Sequence, residues 1–150
     1  MVGTMDSLSL DFLLRAKRMT YAGGGTQSLP SRPGARDLRY TEGELTFLDS
    51  LMGGRHFAGE AILWRGNTPF WVMHYAGRVL GEGFSVSFLY ECLRMSSRDY
   101  PCRGPRMHSS GGDTYRCATS GGPNWFSGQE LIEREGVILY ECNFHGGVIG

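Results

Sequence analysis

Four histidines, His56, His74, His108 and His145, are the side chains of this 150-residue chain suited to moving protons or ligating a metal near neutral pH. His74 and His145 each fall in a strand-like stretch. In the second of these, Glu141, Asn143 and His145 alternate onto one face. If the two stretches meet across a pseudo-twofold axis, His74 and His145 approach one cleft together with Glu141, Asn143, Glu60 and Glu130. Such a set could hold a divalent metal or perform acid–base chemistry, and His74, Glu141 and His145 are its catalytic candidates. HExxH, HxH and CxxC are all absent, so no metal is assigned. The same residues also read as the solvated face of a twisted sheet.

Cysteine chemistry needs a lowered pKa and a nearby base. Of Cys92, Cys102, Cys117 and Cys142, the better reactive candidate is Cys102, because Arg103 and Arg106 beside it could stabilise a thiolate. Cys142 sits three residues before His145 and so on the opposite strand face. The bland reading of each is a buried, reduced thiol, since the spacing is irregular and the chain is large enough to have its own core. Gly23-Gly24-Gly25-Thr26 follows a helix and carries no GK[ST], which removes the phosphate-cradling reading; residues from about 23 to 36 are expected as a flexible loop. Aromatic residues with acids or amides beside them supply a small-molecule site of the ordinary kind. The ligand-binding candidates are Glu60, Trp64, Trp71, Tyr75, Glu130, Tyr140, Asn143 and His145, with Gln129 as the counterpart of Glu60.

These residues need a frame, and the pattern supplies one. FLLRAKR from Phe12 and FLYECLR from Phe88 place Phe12, Leu13 and Ala16, and Phe88, Leu89, Cys92 and Leu93, on single helix faces, each after serines able to cap. Strand-like stretches follow at Leu38–Tyr40, Leu45–Leu51, Phe57–Trp64 and Phe70–Val79, separated by turn residues. Arg65-Gly66-Asn67-Thr68 and Arg134-Glu135-Gly136 read as hairpin loops, so the sheet is expected to be mainly antiparallel. Trp71, Met73 and Tyr75, with Tyr140, Cys142 and Phe144, should face the core.

The segment from Phe57 lies over the segment from Phe126 without a gap, at an offset of 126 − 57 = 69 residues. Phe57 falls on Phe126, Gly59 on Gly128, Trp71 on Tyr140, Tyr75 on Phe144 and Gly77 on Gly146; upstream, Glu44 falls on Asp113 and Gly53 on Gly122. Chance matching of glycines and aromatics is the alternative. The expected fold is α+β: an internally duplicated unit of one helix and antiparallel strands, with repeat one at about residues 8–80 and repeat two at about 84–150, in one domain.

Composition narrows the classes. Hydrophobic residues make up 41% and charged residues 20%, a globular balance rather than a disordered one. Fifteen basic residues offset fifteen acidic ones, which disfavours nucleic acid as a partner. No apolar run suits a signal core or a membrane span, so a cytoplasmic protein without a membrane partner is expected.

The segments FAGEAILWRG…FWVMHYAG, YPCRGP and FSGQELI…ILYECNFHGGVI together resemble a family of uncharacterised domains, domains of unknown function, that in bacteria often follow an N-terminal helix-turn-helix regulator module. The most specific parts are Arg103-Gly104-Pro105 and His145-Gly146-Gly147. The resemblance implies a sensing role by association. This chain departs from that arrangement, having about eleven residues before its first helical segment. The function expected is small-molecule binding in a groove between the two repeats, with cofactor unspecified. The alternatives are an enzyme using His74, Glu141 and His145, and a protein-interaction module or homodimer docking through an exposed sheet face.

Overall fold

The computed structural model describes residues 3–22 and 26–150. Helix α1 (Ser7–Tyr21) precedes strands β1 (Thr26–Ser28), β2 (Arg36–Glu42), β3 (Leu45–Gly53), β4 (His56–Arg65) and β5 (Thr68–Val79). Helix α2 (Val86–Arg94) precedes β6 (Met107–Ser110), β7 (Asp113–Gly122), β8 (Trp125–Arg134) and β9 (Val137–Val148). Every neighbouring strand pair is antiparallel, in the order β1-β2-β3-β4-β5-β9-β8-β7-β6. The fold is α+β.

Local chemistry sets the ends of these elements. Ser85 caps α2 by accepting a hydrogen bond from the Phe88 amide, as its sequence suggests. The cap of α1 is Asp6, whose carboxylate accepts from the Ser9 amide, and not a serine. Glu135 and Gly136, at φ 51° and 81°, turn β8 into β9 in the two-residue manner that matches strand twist. The hairpin signals in the sequence therefore landed on true hairpins.

Both helices lie on one side of the sheet, α1 over β2 and β3 and α2 near β7, and they touch each other. Phe12, Leu13 and Ala16 of α1 and Phe88, Leu89, Cys92 and Leu93 of α2 are buried there against Phe47, Leu63, Trp71, Met73, Tyr115, Tyr140 and Phe144. The six core residues read from strand alternation are all buried. Their neighbours in sequence point to the other side of the sheet, which carries no helix and is called the open face below.

Strands β2–β5 and β6–β9 share more than their number. A register shift falls between Leu63 and Trp64 in β4 and between Ile132 and Glu133 in β8, 132 − 63 = 69 residues apart. The halves meet where Tyr75 of β5 faces Phe144 of β9. The upstream matches require a correction. Asp49 faces Ala61 while Cys117 faces Glu130, so β3 and β7 correspond at 117 − 49 = 68 residues, and Gly53 matches Gly121 rather than Gly122. Gly53 pairs with Phe57 four residues on, whereas Gly121 pairs with Phe126 five residues on, so the second turn carries one more residue between these partners.

The expected flexible loop is also corrected in part; residues 23–25 lie outside those described. Thr26–Ser28 form the edge strand β1, with Gln27 opposite Leu38. Beyond it, the Ser31 amide donates to Asp37 at 2.9 Å and the Arg32 guanidinium to Ser50 at 2.8 Å. Asp37 and Ser50 face away from the helices yet are buried, because this segment lies over them. The open face is thus covered over β2 and β3.

Candidate functional site

Register alone assembles a polar row across the open face. Asp37 faces Ser50, Ser50 faces Glu60, Glu60 faces His74, His74 faces His145, His145 faces Ser127, and Ser127 faces Ser120. Directly opposed residues project to the same side of a sheet with their Cβ atoms about 5 Å apart, so the row is continuous over seven strands. Its two ends differ. Asp37 and Ser50 are tied to the 31–32 segment, whereas His145, Ser127 and Ser120 are open to solvent.

At the centre, His74 Nε2 lies 2.7 Å from Glu60 Oε2, and the His74 and His145 rings are 5.3 Å apart between centroids and inclined by 47°. A carboxylate beside an imidazole fixes ring orientation and favours the tautomer with hydrogen toward the acid. A trough of about 710 Å³ lies over this pair, lined by His74, His145, Asn143, Gln129, Thr119 and Ser120 among others. A second, of about 570 Å³, shares His74, Ser120, Ser127 and His145 with it and continues to Trp125, Val72 and Ile149. A third, of about 840 Å³, shares Ala118 and Gln129 with the first and reaches Arg106, Arg116 and Leu131. The three are one trough in line with β8. It is uncovered because, among the described residues, nothing on β7 and β8 corresponds to the segment that roofs β2 and β3.

The residues singled out from sequence divide between the two sides of the sheet. Asn143 and His145 line the trough, and Glu60 borders it through His74. Trp64 is on the open face but beside a separate hollow of about 170 Å³ with Arg39 and Asn67. Trp71, Tyr75, Glu130 and Tyr140 are buried on the helix side, so the expected single groove containing all eight is corrected. Glu141 shares the face of His145 but lies four residues away, about 13 Å along the strand, and pairs with Arg78 at 2.7 Å. The histidines therefore meet Glu60, not Glu141. Among the described residues no group of three or more His, Cys, Asp or Glu side chains is placed to hold a metal ion. Sequence reading missed Ser120 and Ser127, whose positions follow only once β7 and β8 are in register; Trp125, one of the aromatics available for a pocket, lies in the second section.

The helix side holds a different polar cluster, bordered by a smaller hollow of about 230 Å³ that Cys102, Arg103 and Gly104 help to line. Glu130, fully buried, accepts from Arg103 Nη2 at 2.5 Å, from the Tyr140 hydroxyl at 2.6 Å and from the Tyr115 hydroxyl at 2.5 Å. Arg103 also stacks 5.0 Å over the Tyr75 ring. Burial raises the Glu130 pKa, but the Arg103 charge and these hydrogen bonds outweigh it and hold the carboxyl below its usual range. Asp49 shows the opposite balance: burial raises its pKa despite hydrogen bonds from Tyr75 and Tyr21. Lys17 donates to the Pro101 and Arg103 carbonyls at 2.8 and 2.6 Å and is pushed down to about 7, chiefly by burial and then by Arg103. The Arg103-Gly104-Pro105 motif is thus a clasp that pins the α2–β6 connection into the core.

Cys102 belongs to that clasp and is buried, which corrects its expected reactivity. Burial pushes the Cys92, Cys102 and Cys142 thiols up to about 12, and Cys117 up as well. Iodoacetamide at pH 8 is expected to leave all four unmodified in the native protein and to alkylate all four in urea. The same shifts set a pH dependence. A thiol whose folded pKa exceeds its unfolded value of 9.0 stabilises fully below pH 9 and loses that contribution as pH rises toward 12. Lys17 acts the other way: its unfolded form binds the extra proton between about 7 and 10.5, so stability rises with pH there. One lysine against several thiols gives a shallow rise from pH 7 to 9 and a fall above it. Urea midpoints measured under reducing conditions at pH 7, 8.5 and 10.5 check this, and a monotonic rise to pH 10.5 would contradict it.

The sequence model of a family described as Domain of unknown function (DUF5680) matches residues 49–149, and the chain belongs to that family. No curated protein and no solved structure matches it. No described helix is long and apolar enough to cross a membrane.

Proposed function

We propose that this member of the family binds a small molecule in the open-face trough, with its polar group over the His74–His145 pair. The observation that carries the reading is the junction of the troughs at His74, His145, Ser120 and Ser127, where two imidazoles and two hydroxyls converge on space of ligand size. Asn143 and Gln129 add amides that can both donate and accept. The four buried thiols, none in a disulfide, suit a reducing compartment, and we place the protein in the cytoplasm. The matching hairpins and register shifts support descent from one duplicated unit, in which one copy kept its open face roofed and the other left it free.

A thermal-shift screen against metabolites, with and without divalent metals, tests the reading. A ligand at 100 times its Kd adds about 2.7 kcal/mol to stability. That gain is expected to vanish in His145→Ala while the ligand-free midpoint stays within about 0.5 kcal/mol, because His145 is exposed. Hits that stabilise wild type and His145→Ala equally would sink it.

The 2.7 Å Glu60–His74 contact favours a second reading, acid–base catalysis by His74 with Glu60 orienting it. Glu60→Gln separates the two. A loss of turnover on a bound compound with affinity retained points to catalysis; unchanged chemistry leaves binding alone. A screen silent throughout shifts the open face to a protein partner, including a second copy of the chain.

A further inference from the structure

The charge of the trough lining is one-sided. No aspartate or glutamate lines any of its three sections, and Arg106 and Arg116 line one end; Glu60 borders the middle, held at 2.7 Å by His74. The chain as a whole is neutral, so this is a local feature and not the average of the surface. Arg106 is exposed and makes no ion pair among the described residues; Arg116 is held by Glu133 at 3.1 Å, at a solvent-exposed site where such a pair contributes little. Leu131 lies beside the arginines and supplies apolar surface.

The opposite end is apolar. Trp125 is 80% exposed, with Val72 and Ile149 beside it in the same section. An indole left this open forgoes a large burial that a ligand can supply. From Leu131 to Trp125 is six residues along β8, about 20 Å at the rise of a strand. Cations at one end, hydroxyls and amides between, and an indole at the other describe the complement of an elongated molecule with one acidic head.

We propose that the ligand is a free anionic amphiphile, a carboxylate, sulfonate or phosphate head on an aromatic or aliphatic body, with its head at Arg106 and Arg116 and its apolar end on Trp125. This rests on the trough being the ligand site, and it adds the class and direction of the ligand. The guanidinium fork suits any of these oxyanions, and the head is the part whose affinity should fall with salt.

Two fluorescent probes of nearly one shape test it: anilinonaphthalenesulfonate, which carries an anionic head, and phenylnaphthylamine, which lacks one. The sulfonate is expected to bind about tenfold or more tightly than the amine, and to lose that advantage in Arg106→Glu and in Arg106→Glu/Arg116→Gln. Phenylnaphthylamine affinity should not change in the arginine variants, and Trp125→Ala should weaken both probes. Equal affinity for the two probes, or a sulfonate indifferent to both arginine variants, overturns the anionic head while a Trp125→Ala loss keeps the trough as the site. Absence of binding by either probe, or indifference of both to Trp125→Ala, overturns both readings. Co-sedimentation with phosphatidylglycerol vesicles, lost in the arginine variants, would assign the face to a membrane surface and overturn a free ligand.

Discussion

Replacing Glu130 with alanine is expected to cost about 3–5 kcal/mol of folding stability, the loss typical when one partner of a buried ion pair is removed. Arg103 would remain 4% exposed with no carboxylate to balance it, and the Tyr115 and Tyr140 hydroxyls would lose their acceptor. For a chain of this length the thermal midpoint should fall by roughly 10 °C. The effect is larger than that of any surface pair here, such as Arg15–Glu42 or Arg78–Glu141, whose partners are solvated and contribute little alone. Glu130→Leu combined with Arg103→Met should recover part of the loss, since an apolar pair of similar volume removes the buried charge altogether. The recovery is incomplete because the two tyrosine hydroxyls stay unpaired. Urea unfolding of the single and double variants measures both. A single-variant loss below about 1 kcal/mol would mean that the pair behaves as a solvated one.

Glu130 also shows where the sequence was legible and where it was not. The alternation Trp71-Met73-Tyr75 and Tyr140-Cys142-Phe144 named the core side of β5 and β9 correctly, because central strands with one packed face have a strict period of two. Glu130 and Gln129 are adjacent and must face opposite ways, yet both looked available to one ligand. The register shift between Ile132 and Glu133 changes the parity counted back from the hairpin, so alternation there does not reveal which of the two is inside. Arg103 fills the space that makes the buried acid tolerable, and it arrives from a loop 27 residues earlier; no local pattern encodes that contact.

The histidines were the opposite case. His74 and His145 were read from sequence onto the last strands of two matched segments, and these two residues do face each other. Of the acids grouped with them, Glu60 reaches His74 through the β4–β5 hairpin, while Glu141, close to His145 in sequence, pairs with Arg78 instead. Ser120 and Ser127 carry no signal as isolated residues, and Trp125 only that of an aromatic available for a pocket. They become a site when β7 and β8 leave their outer face unroofed, a difference from β2 and β3 created by the segment around Ser31 and Arg32.

Gly146→Ala is expected to destabilise by about 3 kcal/mol or more, at the upper end of what overpacking a fitted interior costs. Gly146 faces Met73 in the β5–β9 pair that joins the two halves. A Cβ there would meet the Val72 carbonyl oxygen, and would lie 2.8 Å from the Met73 Cα and 2.9 Å from the Phe126 ring. A ring at the end of a side chain can swing aside, but the Val72 carbonyl is part of a central strand and moves only if the pairing does. The glycine of the His145-Gly146-Gly147 motif is therefore explained by close backbone approach, with no catalytic role required. Gly122→Ala is the matched control: nothing lies within 4 Å of its Cβ position, and its expected change is within about 0.5 kcal/mol. Adding Phe126→Leu to Gly146→Ala distinguishes the two obstacles. Continued instability assigns the constraint to the Val72 backbone, whereas recovery to the level of Phe126→Leu alone would show that the ring was the barrier and that the central strands can separate enough to admit a methyl group.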